Sequence, residues 1–128
     1  MAGVTQQVAA ILGESQVVDW AAAEVLGQRI SGVMVSGAAF PEAIAYPETE
    51  AALAELMVCA HKNGWRVLPC GHGSKLSWGG PIQPCDLVVS SDRLNASINH
   101  AVGDLTLTVA AGASFHIIQT QLAETGQF

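Results

Sequence analysis

The residues best suited to bind a ligand lie in one short segment rich in glycine. Glycine lets backbone N–H groups turn toward a ligand without interference from a Cβ atom, and successive N–H groups form a concavity for an anion. The segment follows an apolar, β-prone stretch at residues 65–68. We predict a loop that wraps a phosphate or diphosphate, with a purely structural glycine-rich turn as the alternative. It reads Pro69-Cys70-Gly71-His72-Gly73-Ser74-Lys75-Leu76-Ser77-Trp78-Gly79-Gly80.

The segment differs from the commoner nucleotide-binding signatures. No Gly-x-x-x-x-Gly-Lys-Ser/Thr string exists in the chain. Gly71 and Gly73 supply the first half of Gly-x-Gly-x-x-Gly, but Leu76 stands where the third glycine is required. Gly80 and Pro81 would break a helix that started here. We therefore expect the ligand along an extended loop, without a helix N-terminus behind it.

Composition narrows the class of protein. The chain has 128 residues, a single-domain length, and a net charge of −6, which argues against a nucleic-acid partner. It has no apolar run of about 18 residues for a membrane span and no signal-peptide pattern, so we expect a cytoplasmic protein. Its three cysteines form no Cys-x-x-Cys, and no pair of His or carboxylate residues has metal-ligand or catalytic spacing. We therefore predict free thiols, no metal site and no catalytic residue.

Three of the five cations lie between residues 62 and 75, around the glycine-rich segment. They are Lys62, Arg66 and Lys75. One interpretation is chance placement on the surface. The other is local compensation for a bound anion in an acidic protein.

Periodicity and capping signals predict an α/β fold. Helices are expected at residues 4–12 and 19–30, the second capped by Asp19, and a third from a Thr49 cap to Gly64. Strands are expected at residues 43–46, 65–69 and 86–90. The strand–helix–strand order predicts a βαβ unit with a parallel pair, and the glycine-rich loop leaves the carboxyl end of its second strand.

The C-terminal part predicts a β-hairpin followed by a helix, which gives the fold an α+β character. Strands at residues 97–102 and 105–111 flank a two-residue turn at 103–104. Ser114 is expected to cap the last helix, with Phe115, Ile118 and Leu122 on one side and Gly126 as its stop.

The order of these segments resembles a known family. The order begins with a Pro-x-Gly-x-Gly-Ser motif after a strand, followed by a Gly-Gly pair and an Asp-Leu-Val-Val-Ser strand. Asp92-Arg93-Leu94-Asn95 follows, then residues 103–112 and 122–128. The set resembles the PCMH-type FAD-binding domain of the vanillyl-alcohol oxidase/p-cresol methylhydroxylase class. It is most similar to the FAD-binding subunit of glycolate oxidase in its cyanobacterial form.

The resemblance implies a division of the chain. Residues 1–40 would form an N-terminal helical segment, and residues 41–128 the N-terminal subdomain of a PCMH-type FAD-binding domain. Family members continue beyond Phe128 into further flavin contacts and a separate substrate domain. We therefore expect a partial FAD site and a chain that is catalytically incomplete by itself.

The resemblance also assigns cofactor-binding residues. The backbone amides of residues 70–74 would surround the diphosphate, with a hydrogen bond from the Ser74 hydroxyl and Lys75 as the cation of the loop. Pro69 would stop the strand and launch the loop. Trp78, Gly79 and Gly80 would line the flavin side, although Trp78 could instead anchor the loop on the core.

The position of His72 bears on how FAD is held. Some relatives attach the flavin covalently to a histidine that immediately precedes the hydroxyl residue of the loop. Here Gly73 immediately precedes Ser74, and His72 lies one position earlier. The resemblance therefore implies non-covalent FAD, with His72 contributing its N–H or a ring contact to phosphate.

The implied function is FAD binding within a flavin-dependent oxidoreductase. Its substrate would be a small 2-hydroxy acid such as glycolate, and other subunits of a glycolate oxidase-like complex are possible partners. The alternative is a non-catalytic binding or assembly module with a vestigial anion-binding loop.

Overall fold

A four-stranded sheet forms the centre of the fold. The computed structural model describes residues 2–128. Its helices are α1 (Val4–Leu12), α2 (Glu24–Ser31), α3 (Glu50–Asn63) and α4 (Phe115–Ala123). Its strands are β1 (Val17–Asp19), β2 (Ala43–Ala45), β3 (Val67–Cys70), β4 (Leu87–Ser90), β5 (Ile98–Ala101) and β6 (Thr106–Val109). The combination of helices and sheet confirms the predicted α/β class.

The strand order of the sheet is β1-β2-β4-β3. Strands β2, β4 and β3 are parallel, and β1 is antiparallel to β2. The predicted βαβ unit is therefore present, but β2 and β3 do not pair directly because β4 lies between them. All four residues of β4 are buried, as expected of a strand that is covered on both faces.

Helices cover both faces of this sheet. Because side chains alternate along a strand, Ala43, Ala45, Leu87 and Val89 pack with α1 and α3, whereas Ile44 and Val88 pack against the α2 side. The result is three layers, with α1 and α3 on one face and α2 on the other.

Local capping explains where α3 begins and ends. The Thr49 hydroxyl accepts a hydrogen bond from the Ala52 amide at 3.1 Å, and Gly64 has the left-handed conformation, φ +66°, that closes a helix. Both signals were predicted. Within residues 2–128, no helix has the length and apolar character needed to cross a bilayer.

The predicted helix at residues 19–30 is only partly correct. Its first residue, Asp19, is instead the last residue of the edge strand β1, in which the β-branched Val17 and Val18 also pair with β2, and residues 20–22 form a single 3-10 turn. Asp19 caps no helix; its carboxylate accepts a hydrogen bond from the Thr5 hydroxyl at 2.6 Å. Helix α2 begins later, at Glu24.

The hairpin β5–β6 and α4 form the C-terminal part. The predicted two-residue turn is wrong, because a single 3-10 turn (Val102–Asp104) and Leu105 at φ +56° connect the two strands. Ser114 caps α4 as predicted, accepting from the Ile117 amide, and the helix ends at Ala123, before Gly126. Of the three apolar residues expected on one side of α4, Ile118 and Leu122 are half-buried, whereas Phe115 is 71% exposed.

One glycine allows the C-terminal part to approach the sheet closely. A Cβ atom on Gly112 would lie 2.0 Å from the backbone oxygen of Ser91 and 2.9 Å from that of Asp92. The Gly112 amide donates to the Leu94 carbonyl at 2.8 Å. Only glycine fits this contact between the segment after β6 and the turn after β4.

Candidate functional site

The glycine-rich loop lies at the carboxyl edge of the sheet. Gly71 follows β3 directly, Tyr46 follows β2, and Ser90 ends β4. The register pairs Ala45 with Val89 and Cys70 with Ser90, so all three parallel strands end at the same level. Ligands of open α/β sheets bind at this edge, which agrees with the predicted placement of the loop.

The carbonyl groups at the start of the loop accept hydrogen bonds from other parts of the protein. The Cys70 carbonyl accepts from the Ser91 amide at 2.9 Å. The Gly71 carbonyl accepts from the Ser90 hydroxyl at 3.1 Å, and the His72 carbonyl accepts from the Arg29 guanidinium at 3.1 Å. The inward side of the loop is therefore occupied by acceptors that already have donors.

The backbone amides of the loop behave differently. Within residues 2–128, the N–H groups of residues 71–75 donate no hydrogen bond to the protein. Five consecutive donors remain available, and Gly73, at φ +77°, has the left-handed conformation common in anion-binding concavities. An array of this kind can hold an anion with several oxygen atoms.

Gly73 is also required by packing. A Cβ atom there would lie 2.6 Å from Cδ1 of Leu26 and 3.4 Å from Cδ1 of Leu76. Helix α2 therefore presses against the loop through Leu26 and Arg29. No residue before position 41 was predicted to belong to the site, and no sequence motif indicates this contribution of α2.

A cavity of about 370 Å³ lies between α2 and the loop. We call it the loop cavity. It has one cation, two hydroxyl groups and no carboxylate among its lining residues, which suits an anion. They are Arg29, Val33, Gly73, Ser74, Leu76 and Ser77.

A second cavity, of about 520 Å³, lies over the strand ends, and we call it the strand-end cavity. Its lining includes the carboxylates of Glu24 and Asp92 and the guanidinium of Arg93, which stacks 4.9 Å from the centre of the Tyr46 ring. Burial, followed by the charges of Cys70 and Asp92, raises the pKa of Tyr46, so its hydroxyl stays a neutral donor. With two carboxylates, this cavity is less suited to a diphosphate than the loop cavity.

The His72 ring is held by acceptors on two sides. Its Nδ1 lies 2.5 Å from Oδ1 of Asp92, and its Nε2 lies 3.2 Å from the Gly112 carbonyl oxygen. Both ring nitrogens are therefore engaged within the protein. The group of His72 that remains available to a ligand is its backbone amide.

Two predicted residues at the start of the loop belong to the strand. Cys70 was expected in the loop but is the last residue of β3, and Pro69 lies inside β3 instead of stopping it. The edge position of β3 tolerates a proline, which lacks an N–H to donate. Burial raises the pKa of the Cys70 thiol, so the thiol stays protonated and weakly nucleophilic.

The later part of the segment forms a single 3-10 turn (Leu76–Gly79). Trp78 is 80% exposed, so it does not anchor the loop on the core, and the Lys75 ammonium lies 5.4 Å from the centre of its ring. Gly79 and Gly80, like Trp78, line neither the loop cavity nor the strand-end cavity. The structure thus places Gly71 and His72 against the strand-end cavity and Gly73 and Ser74 against the loop cavity, and it leaves residues 78–80 apart on the surface.

Only one of the three cations that lie near the loop in sequence is part of the loop in the structure. Arg66 precedes β3 and binds Asp86 in front of β4, at the opposite edge of the sheet. Lys62 lies in the last turn of α3. Of the predicted set only Lys75 is part of the loop, and Arg29 joins it from α2.

Three contributors to the site escaped sequence reasoning: Arg29, Ser90 and Asp92. Ser90 was expected only as the end of a strand, and Asp92 only as part of a family motif. Their contacts with the loop span 19 to 43 positions in the chain, and no local spacing signals them. Within residues 2–128, no group of three or more His, Cys, Asp or Glu residues could hold a metal ion.

Comparison with known proteins identifies the family. Residues 41–128 match a family model described as FAD binding domain. A search of curated proteins found no match. The matched region contains the glycine-rich loop with its free amides, both strands beside it and Gly112, and it covers more than half of the chain. The chain therefore belongs to the FAD binding domain family.

Proposed function

We propose that this chain binds FAD through its diphosphate and serves a flavin-dependent oxidoreductase. The observation that carries the proposal is the row of five amides at residues 71–75 that donate to no protein group. A diphosphate offers several charged oxygens, and hydrogen bonds to charged groups are about twice as strong as neutral ones. The family assignment identifies FAD as the ligand that brings such a diphosphate.

The residues around the loop fit a diphosphate in charge and chemistry. The amides of residues 71–75 and the Ser74 hydroxyl would donate to its oxygens. Arg29 and Lys75 would offset its charge in a chain whose net charge is −6. The exposed Trp78 ring would cover the flavin side, together with Gly79 and Gly80. When bound, FAD accepts a hydride from a substrate, and the protein contributes binding and orientation.

We propose that the flavin is held without a covalent bond. Gly73 occupies the position where covalent relatives carry histidine. The two ring nitrogens of His72 already have oxygen partners, and the half-buried Cys70 thiol, whose pKa is raised by desolvation, is a poor nucleophile. Acid precipitation of the FAD-loaded protein should release all yellow colour into the supernatant. A fluorescent band on a denaturing gel would contradict this proposal.

The substrate proposal rests on the resemblance of residues 41–128 alone. It names a small 2-hydroxy acid such as glycolate, with further subunits of a glycolate oxidase-like complex as partners. Because the chain by itself is expected to be catalytically incomplete, the test is anaerobic bleaching of the FAD-loaded protein within the complex isolated with its partner subunits, by glycolate, with acetate, which lacks the hydroxyl group, as control. Bleaching by glycolate alone would support the proposal, and bleaching by neither acid would count against it.

Diphosphate recognition can be tested with ligands that differ in one part. Riboflavin carries the flavin ring without phosphate, and ADP carries the diphosphate without flavin. We expect FAD to bind, ADP to compete with it and riboflavin to bind far more weakly. Equal affinity for riboflavin and FAD would refute a site built on the diphosphate.

A further inference from the structure

Ser90 is the one buried polar side chain among residues 2–128, and it lies directly beneath the glycine-rich loop. Its hydroxyl donates to the Gly71 carbonyl at 3.1 Å and accepts from the Asp92 amide at 3.2 Å. Burying a hydroxyl costs free energy unless it is hydrogen-bonded. An apolar residue at the end of β4 would avoid this cost. The contribution of Ser90 is therefore the pair of hydrogen bonds that connects the Gly71 carbonyl to the Asp92 amide.

The Asp92 side chain makes a second contact with the loop, through the His72 ring. Its carboxylate contacts Nδ1 of His72 at 2.5 Å, and Nε2 of the same ring contacts the Gly112 carbonyl oxygen at 3.2 Å. Gly112 cannot move aside easily, because its backbone packs directly against Ser91. The side chain of a loop residue is thus fixed between two segments that the sheet and the hairpin hold in place.

The contacts that reach the loop act on the Gly71 carbonyl or on the His72 ring, and none uses a loop amide. We propose that Ser90, Asp92 and the His72 ring form a bracket, which turns the carbonyl side of the loop inward and thereby presents the amides of residues 71–75 to the diphosphate. Ser90 and Asp92 are positioning residues that do not touch the ligand. The inference rests on the proposed function for the identity of that ligand.

The experiment compares variants of the bracket with matched controls. We expect Ser90→Ala and Asp92→Ala to raise the Kd for FAD about tenfold or more and to lower the backbone NMR order parameters of residues 71–75 in the ligand-free protein. Ser91→Ala removes the neighbouring hydroxyl, which bonds the Ala111 carbonyl and no loop carbonyl. Val8→Ala lowers stability from the opposite face of the sheet. Both controls should keep the Kd within about twofold of wild type.

A conservative variant separates positioning from general destabilisation. Asp92→Asn keeps an oxygen that can accept from the His72 ring and keeps the backbone amide that donates to Ser90. It should restore most of the affinity and the high loop order parameters that Asp92→Ala loses. Equal losses in Asp92→Asn and Asp92→Ala would contradict the hydrogen-bonded bracket.

The remaining outcomes decide between the two proposals. If wild type binds FAD and a folded Ser90→Ala protein matches it in Kd and in loop order parameters, the bracket is wrong and the proposed function stands. If Ser90→Ala does not fold, Asp92→Ala, with a half-exposed side chain, takes its place under the same criterion. If wild type binds no FAD, the proposed function fails, and unchanged loop order parameters in the ligand-free variants would overturn the bracket as well.

Discussion

The Ser74 hydroxyl offers the sharpest test of anion binding by a side chain, because it has a matched neighbour. Ser74 and Ser77 are both exposed, both line the loop cavity, and neither side chain forms a hydrogen bond within residues 2–128. Replacing either with alanine should therefore change the free energy of unfolding by less than about 0.5 kcal/mol. Any difference between the two variants must then come from the ligand.

We expect Ser74→Ala to weaken FAD binding strongly and Ser77→Ala to leave it almost unchanged. A hydrogen bond to a charged group contributes about 1.5–3 kcal/mol. Because about 1.4 kcal/mol corresponds to a tenfold change in Kd, the loss should be about 10- to 150-fold. Titration of flavin fluorescence measures the Kd, and thermal melting of the ligand-free variants checks the fold. Equal Kd values for the two variants would refute a bond from Ser74 to the diphosphate.

Three further predictions concern the framework that holds the loop. Gly73→Ala should lower the free energy of unfolding of the ligand-free protein by about 1–2 kcal/mol, the cost of a left-handed residue, and the steric overlap with Leu26 should add to this loss. A denaturant titration that gives the wild-type free energy of unfolding would contradict this prediction. Gly112→Ala should cost about 3 kcal/mol in the same assay, because its Cβ would overlap a backbone oxygen, and a smaller loss than that of Gly73→Ala would show that the contact relaxes. The Arg66 hydrogen bond holds the pKa of Asp86 below its ordinary value of 3.8, so the pair stabilises the fold above that pH and the contribution is lost as the pH falls through the lower, folded-state pKa. The stability gap between wild type and Asp86→Asn should therefore narrow in acid, and a constant gap would count against the ion pair.

Local signals predicted most of the secondary structure. The caps at Thr49 and Ser114 and the left-handed Gly64 fixed the bounds of α3 and the start of α4, because these effects depend on residues three or four positions apart. Strand β1 was missed because it has three residues and gains its hydrogen bonds only from β2. The position of β4 between β2 and β3 was also missed, since a run of apolar residues indicates a buried strand but does not indicate which strands pair with it.

Local sequence signals were also insufficient to predict the whole candidate site. Glycine content and the preceding strand were enough to locate the loop, and the resemblance supplied the ligand. Arg29, Ser90 and Asp92 reach the loop only after α2 and β4 have packed, so their roles depend on tertiary structure. Arg66 illustrates the converse case, because closeness in sequence left compensation of an anion open as one of two interpretations, whereas Asp86 holds Arg66 at the other edge of the sheet.

The central claim is that the backbone amides of residues 71–75 bind the diphosphate of FAD. Amide-resolved NMR of the protein, titrated with FAD and separately with ADP, tests it most directly. Both ligands should shift these five amide resonances in a saturable way and slow their hydrogen exchange, while riboflavin should not. Saturable FAD binding that leaves all five amides unchanged, with the shifts located elsewhere, would contradict the account.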